Sequence, residues 1–312
     1  MLIDAHMHIF PAVAGYNRNG FTKSAGGGFV KYAGGETVRL LPPSFRETAS
    51  LPETLIDYMD WQGVDHAVVL QGPLYGEIND YLLEAAKRWP GRFTVAAMLD
   101  PYLTGARQAL RHIVEDQRFK VLKLECSEQF GLSGIHPGLD YRDGAFERVW
   151  EAADKNGLTV VIDTGLPGSD GYKIEALKQV ALKHPGLRMV VAHLGFPPAP
   201  PEREKYEPEW RRCLELGKVK NIWFDISSLV GLGGEEYPFP LAQEYIRIGY
   251  ETVGADKLIF GTDFPGILTK CTYEQAILYV RNHCAFLPHS DKAKILSENA
   301  VKVYQIDSGR RP

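Results

Sequence analysis

Two histidines separated by one residue, His6 and His8, stand in the run Met1-Leu2-Ile3-Asp4-Ala5-His6-Met7-His8-Ile9-Phe10. In an extended strand, side chains at i and i+2 point to the same face. The two imidazoles therefore project together, about 7 Å apart by strand rise, close enough to share a metal ion. A lone His-x-His is more often a polar strand end. Here, though, other side chains able to bind metal or carry protons close later apolar runs: Lys123 and Glu125, Asp163, His193 and Asp263. Neutral imidazole combined with carboxylate suits Zn²⁺, Mn²⁺, Fe²⁺ or Co²⁺ rather than Mg²⁺ or Ca²⁺.

The elements that position these residues repeat along the chain. Short Val/Ile/Leu-rich runs at 65–71, 93–99, 120–126, 158–163, 187–193, 221–227 and 257–263 follow the first strand, and helical patterns separate them. In residues 143–156, for example, Phe146, Val149, Trp150 and Ala153 recur at helical spacing before Gly157. Apolar runs that are continuous rather than alternating belong to strands buried on both faces, hence to a parallel sheet. Eight such units in a chain of 312 residues predict an α/β fold, a (β/α)₈ TIM barrel, in one domain spanning 1–312. A doubly wound open sheet would carry a Gly-rich phosphate loop after its first strand, and His8-Ile9-Phe10-Pro11 is nothing like one. In a barrel the strand ends converge on one mouth, where His6, His8, Lys123, Glu125, Asp163, His193 and Asp263 would meet.

Residues 11–50 form a long insertion after the first strand, rich in Gly and Pro but also carrying Tyr16, Phe21, Phe29, Tyr32 and Phe45. A connection this long is commonly functional, and its aromatic residues predict a partly ordered lid. Ser50-Leu51-Pro52-Glu53 reads as a capping box opening the next helix. Among the other histidines, His136 falls in the loop after the fourth strand and is expected as a substrate contact. His184 is read as a surface residue, and Trp61 as a packing residue.

Composition narrows the function further. With 45% apolar and 24% charged residues, the chain has the balance of a soluble globular protein. A net charge of −4 argues against nucleic-acid or polybasic membrane binding. No apolar run is long enough to span a bilayer. Because the histidine motif begins at residue 4, no cleavable signal peptide is expected ahead of it. Cys126, Cys213, Cys271 and Cys284 show no paired spacing and read as reduced thiols in a cytoplasmic protein.

Three segments together resemble the amidohydrolase superfamily: Asp4-Ala5-His6-Met7-His8, Val191-Ala192-His193-Leu194-Gly195 and Phe260-Gly261-Thr262-Asp263-Phe264-Pro265. The likeness is greatest to the amidohydrolase 2 branch, which includes aminocarboxymuconate-semialdehyde decarboxylase and related hydrolases. Ile295-Leu296-Ser297-Glu298-Asn299-Ala300 is similar to that branch's closing helix. The resemblance implies a barrel with one divalent metal, zinc first and manganese next, bound by His6, His8 and Asp263, with His193 as the active-site histidine. Asp263 would also serve as general base. One position departs from the pattern: the branch usually has histidine where this chain has Asp163. Asp163 is expected to ligate through oxygen, the alternative being a weakened or metal-free site. Lys123 and Glu125 are read as a strand-end pair or substrate contacts, ahead of a second metal site.

The implied activity is metal-dependent hydrolysis of a small-molecule C–N or C–O bond in an amide, cyclic amide or lactone. A non-oxidative decarboxylase on the same site is the first alternative. A metal-free lactonase or a non-catalytic binding barrel is the second. The resemblance also implies pairing as a homodimer through the outer helices.

Overall fold

The computed structural model describes residues 1–307. Each of the eight apolar runs forms a strand. After β1 (Ile3–His8), the chain builds a separate four-stranded sheet from β2 (Tyr16–Asn17), β3 (Gly20–Gly26), β4 (Phe29–Tyr32) and β5 (Thr37–Arg39). It then alternates helices with β6 (His66–Leu70), β7 (Phe93–Met98), β8 (Val121–Glu125), β9 (Thr159–Asp163), β10 (Arg188–Val191), β11 (Ile222–Asp225) and β12 (Leu258–Ile259). The large sheet runs in the order β1-β6-β7-β8-β9-β10-β11-β12, with parallel pairs throughout.

The sheet closes through the segment that follows β12. Ala5 N donates to Phe260 O (2.9 Å), Asp263 N to His6 O (2.8 Å) and His8 N to Phe264 O (2.7 Å). Asp4 locks this seam. Its buried carboxylate accepts from Thr262 N (2.9 Å), Thr262 Oγ1 (2.6 Å) and Tyr273 Oη (3.1 Å). The result is a (β/α)₈ barrel, as the alternation predicts.

Inside the barrel, Ile3, Ala5, Val68, Leu70, Val121, Val161, Val190 and Ile259 pack with Ala300, Val303 and Tyr304 of the closing helix. This inner layer sets the phase of the catalytic face. In β8 the inward series Val121, Lys123, Glu125 keeps period two, as does Val161, Asp163 in β9. In β1 it does not: Ile3 and Ala5 point inward, yet so do His6 and His8. A register irregularity between Asp4 and Met7 makes the difference. An extra residue in one strand turns the following side chains to the opposite face. The same happens after β10, where His193 takes a left-handed φ of 55° beyond inward-facing Ala192.

The 11–50 insertion is more regular than a partly ordered lid. Its antiparallel strands cover a small core of Phe10, Val13, Val30, Tyr32, Leu41 and Leu74. Gly28 is required there, since its φ is +81° and a Cβ would lie 2.0 Å from the Leu41 carbonyl oxygen. The capping box expected at Ser50 is not formed. The helix Pro52–Gln62 starts without a side-chain cap. Ser50 instead exchanges backbone hydrogen bonds with Phe10, and its hydroxyl donates to His8 O (2.9 Å). The competing partner ties the end of the insertion to the end of β1. Two further expectations are corrected. Trp61 is 77% exposed, and His184 is buried beside Glu147, 3.2 Å away. Among the described residues, no helix is long and apolar enough to cross a membrane.

The helix Gly144–Asn156 leads the chain into β9. Asp143 caps it by accepting from Ala145 N (2.8 Å) and Phe146 N (3.0 Å). Asp143→Ala is expected to lower unfolding free energy by about 1 kcal/mol in urea titrations followed by circular dichroism. An unchanged midpoint would show that the cap is not engaged.

Candidate active site

At the C-terminal mouth of the barrel, His6, His8 and Asp263 each offer one ligand atom, and these atoms lie within 4.8 Å of one another. His8 Nε2 lies 3.1 Å from Asp263 Oδ1, and His6 Nε2 lies 3.9 Å from the same oxygen. The other nitrogen of each ring is already committed. His8 Nδ1 is 3.0 Å from Leu70 O, and a carbonyl only accepts, so Nδ1 carries the proton. His6 Nδ1 is 3.0 Å from Asp225 Oδ2. Burial lowers the His6 pKa to about 4 despite that carboxylate, so the ring is neutral and its single proton sits on Nδ1. The Nε2 atoms of both rings therefore face the Asp263 carboxylate, with His8 Nε2 within hydrogen-bond distance of Oδ1. A divalent cation satisfies that arrangement, and outer nitrogens held by a carbonyl and a carboxylate are the usual support of histidine ligands. The donor set fits the metal that the resemblance implies.

Asp263 reaches this position at a cost in backbone conformation, with φ at 71°. A non-glycine residue held in that region costs on the order of 1 kcal/mol and persists only where its surroundings fix it. Here the Asp263 N–His6 O bond and the Asp4–Thr262 lock do so.

His193 is held at both ring nitrogens. Nε2 lies 3.2 Å from Asp163 Oδ2, and Nδ1 lies 2.8 Å from Ser227 Oγ. The Ser227 hydroxyl donates its one proton to Asp225 Oδ1. Its oxygen must then accept from Nδ1, and the Asp163 carboxylate must accept from Nε2. His193 is accordingly an imidazolium. Burial would lower its pKa, but the hydrogen bond and charge of Asp163 outweigh it and lift the value to about 9.

Asp163 thus faces His193 and is not in the His6–His8–Asp263 group. Burial would raise its carboxyl pKa, but Lys123 and His193 outweigh burial and hold it below the usual carboxylate range. Glu125 shifts the other way, raised first by burial and then by the negative charge of Asp163. Lys123 Nζ sits 3.6 Å from Glu125 and 3.9 Å from Asp163, is fully buried and, among the described residues, has no hydrogen-bond partner. His136 is not brought to this group. It pairs with Asp100 (2.7 Å), packs on Tyr102, and does not line the cavity.

Asp225, which ends β11, did not emerge from the strand-end reading. It holds His6 Nδ1, His193 N (3.0 Å), Ser227 N (3.1 Å) and the Ser227 hydroxyl. The available signal was its place, directly after Ile222-Trp223-Phe224 at the end of the seventh apolar run.

Above these groups lies a cavity of about 430 Å³. Its lining includes Glu125, Asp163, His193 and Asp263 on the barrel side, Phe130 and Phe196 on the walls, and Arg18, Leu40 and Leu41 from the insertion. Arg18 is paired with Glu128 at 3.1 Å.

A (β/α)₈ barrel with this mouth belongs to the class of barrel enzymes whose chemistry is built on strand ends. More narrowly, the amidohydrolase family model (Amidohydro_2) matches residues 3–306, and the chain belongs to that family. It is 25% identical over 271 residues to the L-fucono-1,5-lactonase of Burkholderia ambifaria, covering 82% of this chain and 85% of that protein. Two solved structures share the fold. A probable 2-pyrone-4,6-dicarboxylic acid hydrolase from Acinetobacter baumannii, with citric acid bound, superposes with a TM-score of 0.69 at 20% identity, covering 97% of this chain and 99% of that one. An amidohydrolase from Burkholderia multivorans with bound zinc gives 0.71 at 16% identity, covering 98% and 99%.

Asp225→Asn should weaken zinc binding about 10- to 100-fold in competition with a chromophoric chelator, because it removes the charge that orients His6. Unchanged affinity would mean that Asp225 does not support the ligand.

Proposed function

We propose that the protein hydrolyses an uncharged lactone, with amides and cyclic amides as chemically related substrates, using one divalent cation, zinc ahead of manganese. The observation that carries this reading is the convergence of His6 Nε2, His8 Nε2 and Asp263 Oδ1, potential ligand atoms within 4.8 Å of one another, in the cavity at the barrel mouth. A cation held by these three residues supplies Lewis acidity, which lowers the pKa of water from 15.7 toward ~7 and polarises a carbonyl.

The protein's own groups divide the proton transfers. Asp263 accepts the proton of the attacking water. As the ring C–O bond breaks, the leaving oxygen takes the Nε2 proton of His193. Asp163 aims that proton and stabilises the imidazolium, while Ser227 fixes the far side of the ring. A hydroxy acid leaves, and proton exchange with solvent resets Asp263 and His193.

The lining charge favours an uncharged substrate. Glu128, Asp163 and Asp263 face the cavity, and the one Lys or Arg side chain in its described lining, Arg18, is tied to Glu128, so no free Arg or Lys stands there to pair the carboxylate a decarboxylase substrate would carry. The lactonase relative supports the same choice. Four unpaired cysteines fit a reducing compartment and support a cytoplasmic location.

The test is metal content by plasma mass spectrometry on tag-free protein, followed by a panel of neutral sugar and aliphatic lactones assayed by acid release. One equivalent of zinc, turnover of at least one lactone and an about 10²- to 10⁴-fold loss in Asp263→Asn are expected. Protein that takes up no metal after incubation with Zn²⁺ or Mn²⁺, or that acts only by releasing CO₂ from carboxylic acids, would overturn the proposal.

A further inference from the structure

Lactone hydrolysis places charge on two oxygens. His193 serves the leaving ring oxygen. The carbonyl oxygen, which becomes an oxyanion when water adds and which a bound cation would polarise, is stabilised further by a hydrogen-bond donor aimed at it. At the base of the cavity Asp263 and Asp163 present acceptors, and the Nε2 proton of His193, held on Asp163, is committed to the leaving oxygen while its Nδ1 holds Ser227. The Gln71 amide is taken as well, donating to Asn79 Oδ1 and Ala96 O at 2.8 Å each. Ser169 donates to Leu166 O (2.7 Å).

Tyr75 is different. It follows β6 in the turn Pro73–Tyr75 and lines the cavity. Its ring stacks on Phe10 (centroids 4.2 Å apart, planes 12° apart) and approaches the His8 ring at 5.7 Å. Phe10 is fully buried and belongs to the core shared with the insertion, so the stack fixes the plane of the phenol. Among the described residues, the Tyr75 hydroxyl has no hydrogen-bond partner.

We propose that Tyr75 is a catalytic residue whose hydroxyl donates to the substrate carbonyl oxygen as negative charge develops on it. The assignment rests on the lactone-hydrolase reading above. No bond to Tyr75 forms or breaks, and its proton stays on the phenol throughout. Burial, reinforced by the charges of Asp263 and Glu125, raises its pKa and keeps that proton in place. The geometry also gives the insertion a role. Its core holds Phe10, and Phe10 aims Tyr75.

The test is Tyr75→Phe in the zinc-loaded protein, assayed on a lactone the wild type hydrolyses. Phenylalanine keeps the stack on Phe10 and removes only the hydroxyl. Because the hydrogen bond strengthens in the transition state, kcat is expected to fall about 10²- to 10³-fold while KM stays within about threefold. Zinc content and the circular dichroism spectrum should match the wild type. A Tyr75→Phe variant with kcat within threefold of wild type would overturn the assignment while leaving the hydrolase reading intact. So would a loss confined to KM. A wild-type enzyme inactive on every lactone and amide would instead overturn the hydrolase reading, and the role of Tyr75 with it.

Discussion

The central constraint in this molecule is that three potential ligand atoms are held against one another. His6 Nε2 and His8 Nε2 both approach one Asp263 oxygen, a geometry that a shared cation would satisfy. Hydrogen bonds on the opposite side of each ring keep them from turning away. His8 is fixed by the Leu70 carbonyl and His6 by Asp225. Outer hydrogen bonds of this kind orient histidine side chains toward a shared metal.

The barrel seam makes this arrangement rigid. Asp4 points away from the cavity and grips Thr262, while the next residue, Asp263, is bonded through its backbone to His6. First and last strands are thus joined at the residues that carry the site. Asp225 extends the same frame to His193 by way of Ser227, so one carboxylate orients a ligand histidine and the proton-bearing histidine together. The insertion is attached to this frame through Ser50 and Phe10 rather than swinging over it, and it presents a stacked phenol to the cavity.

Much of the architecture was legible in the sequence, because buried parallel strands write themselves as continuous Val/Ile/Leu runs and all eight were present. The convergence of His6, His8 and Asp263 followed from their places at strand ends and from the family likeness. Other features depended on effects that periodicity does not encode. Period two correctly placed His6 and His8 on one face, but which face was decided by the irregularity between Asp4 and Met7. Asp225 went unnoticed because an aspartate after a short run reads as an ordinary turn residue, and its contacts to His6 and His193 are tertiary. Asp163 stands where the family pattern has a ligand histidine, yet its carboxylate faces His193, since Lys123 and Glu125 beside it set the local charge. Ser50 carried a capping sequence, but the carbonyl of His8 won its hydroxyl. The sheet within residues 11–50 was hidden by its glycines, which serve tight turns there rather than disorder.

The most direct test of the account is a crystal structure of the zinc-loaded protein with anomalous diffraction collected at the zinc edge. A single strong peak bounded by His6 Nε2, His8 Nε2 and Asp263, with Asp163 still on His193, is the expected result. A peak held by Asp163, Glu125 or Lys123 instead, or no peak at the mouth of the barrel, would contradict it.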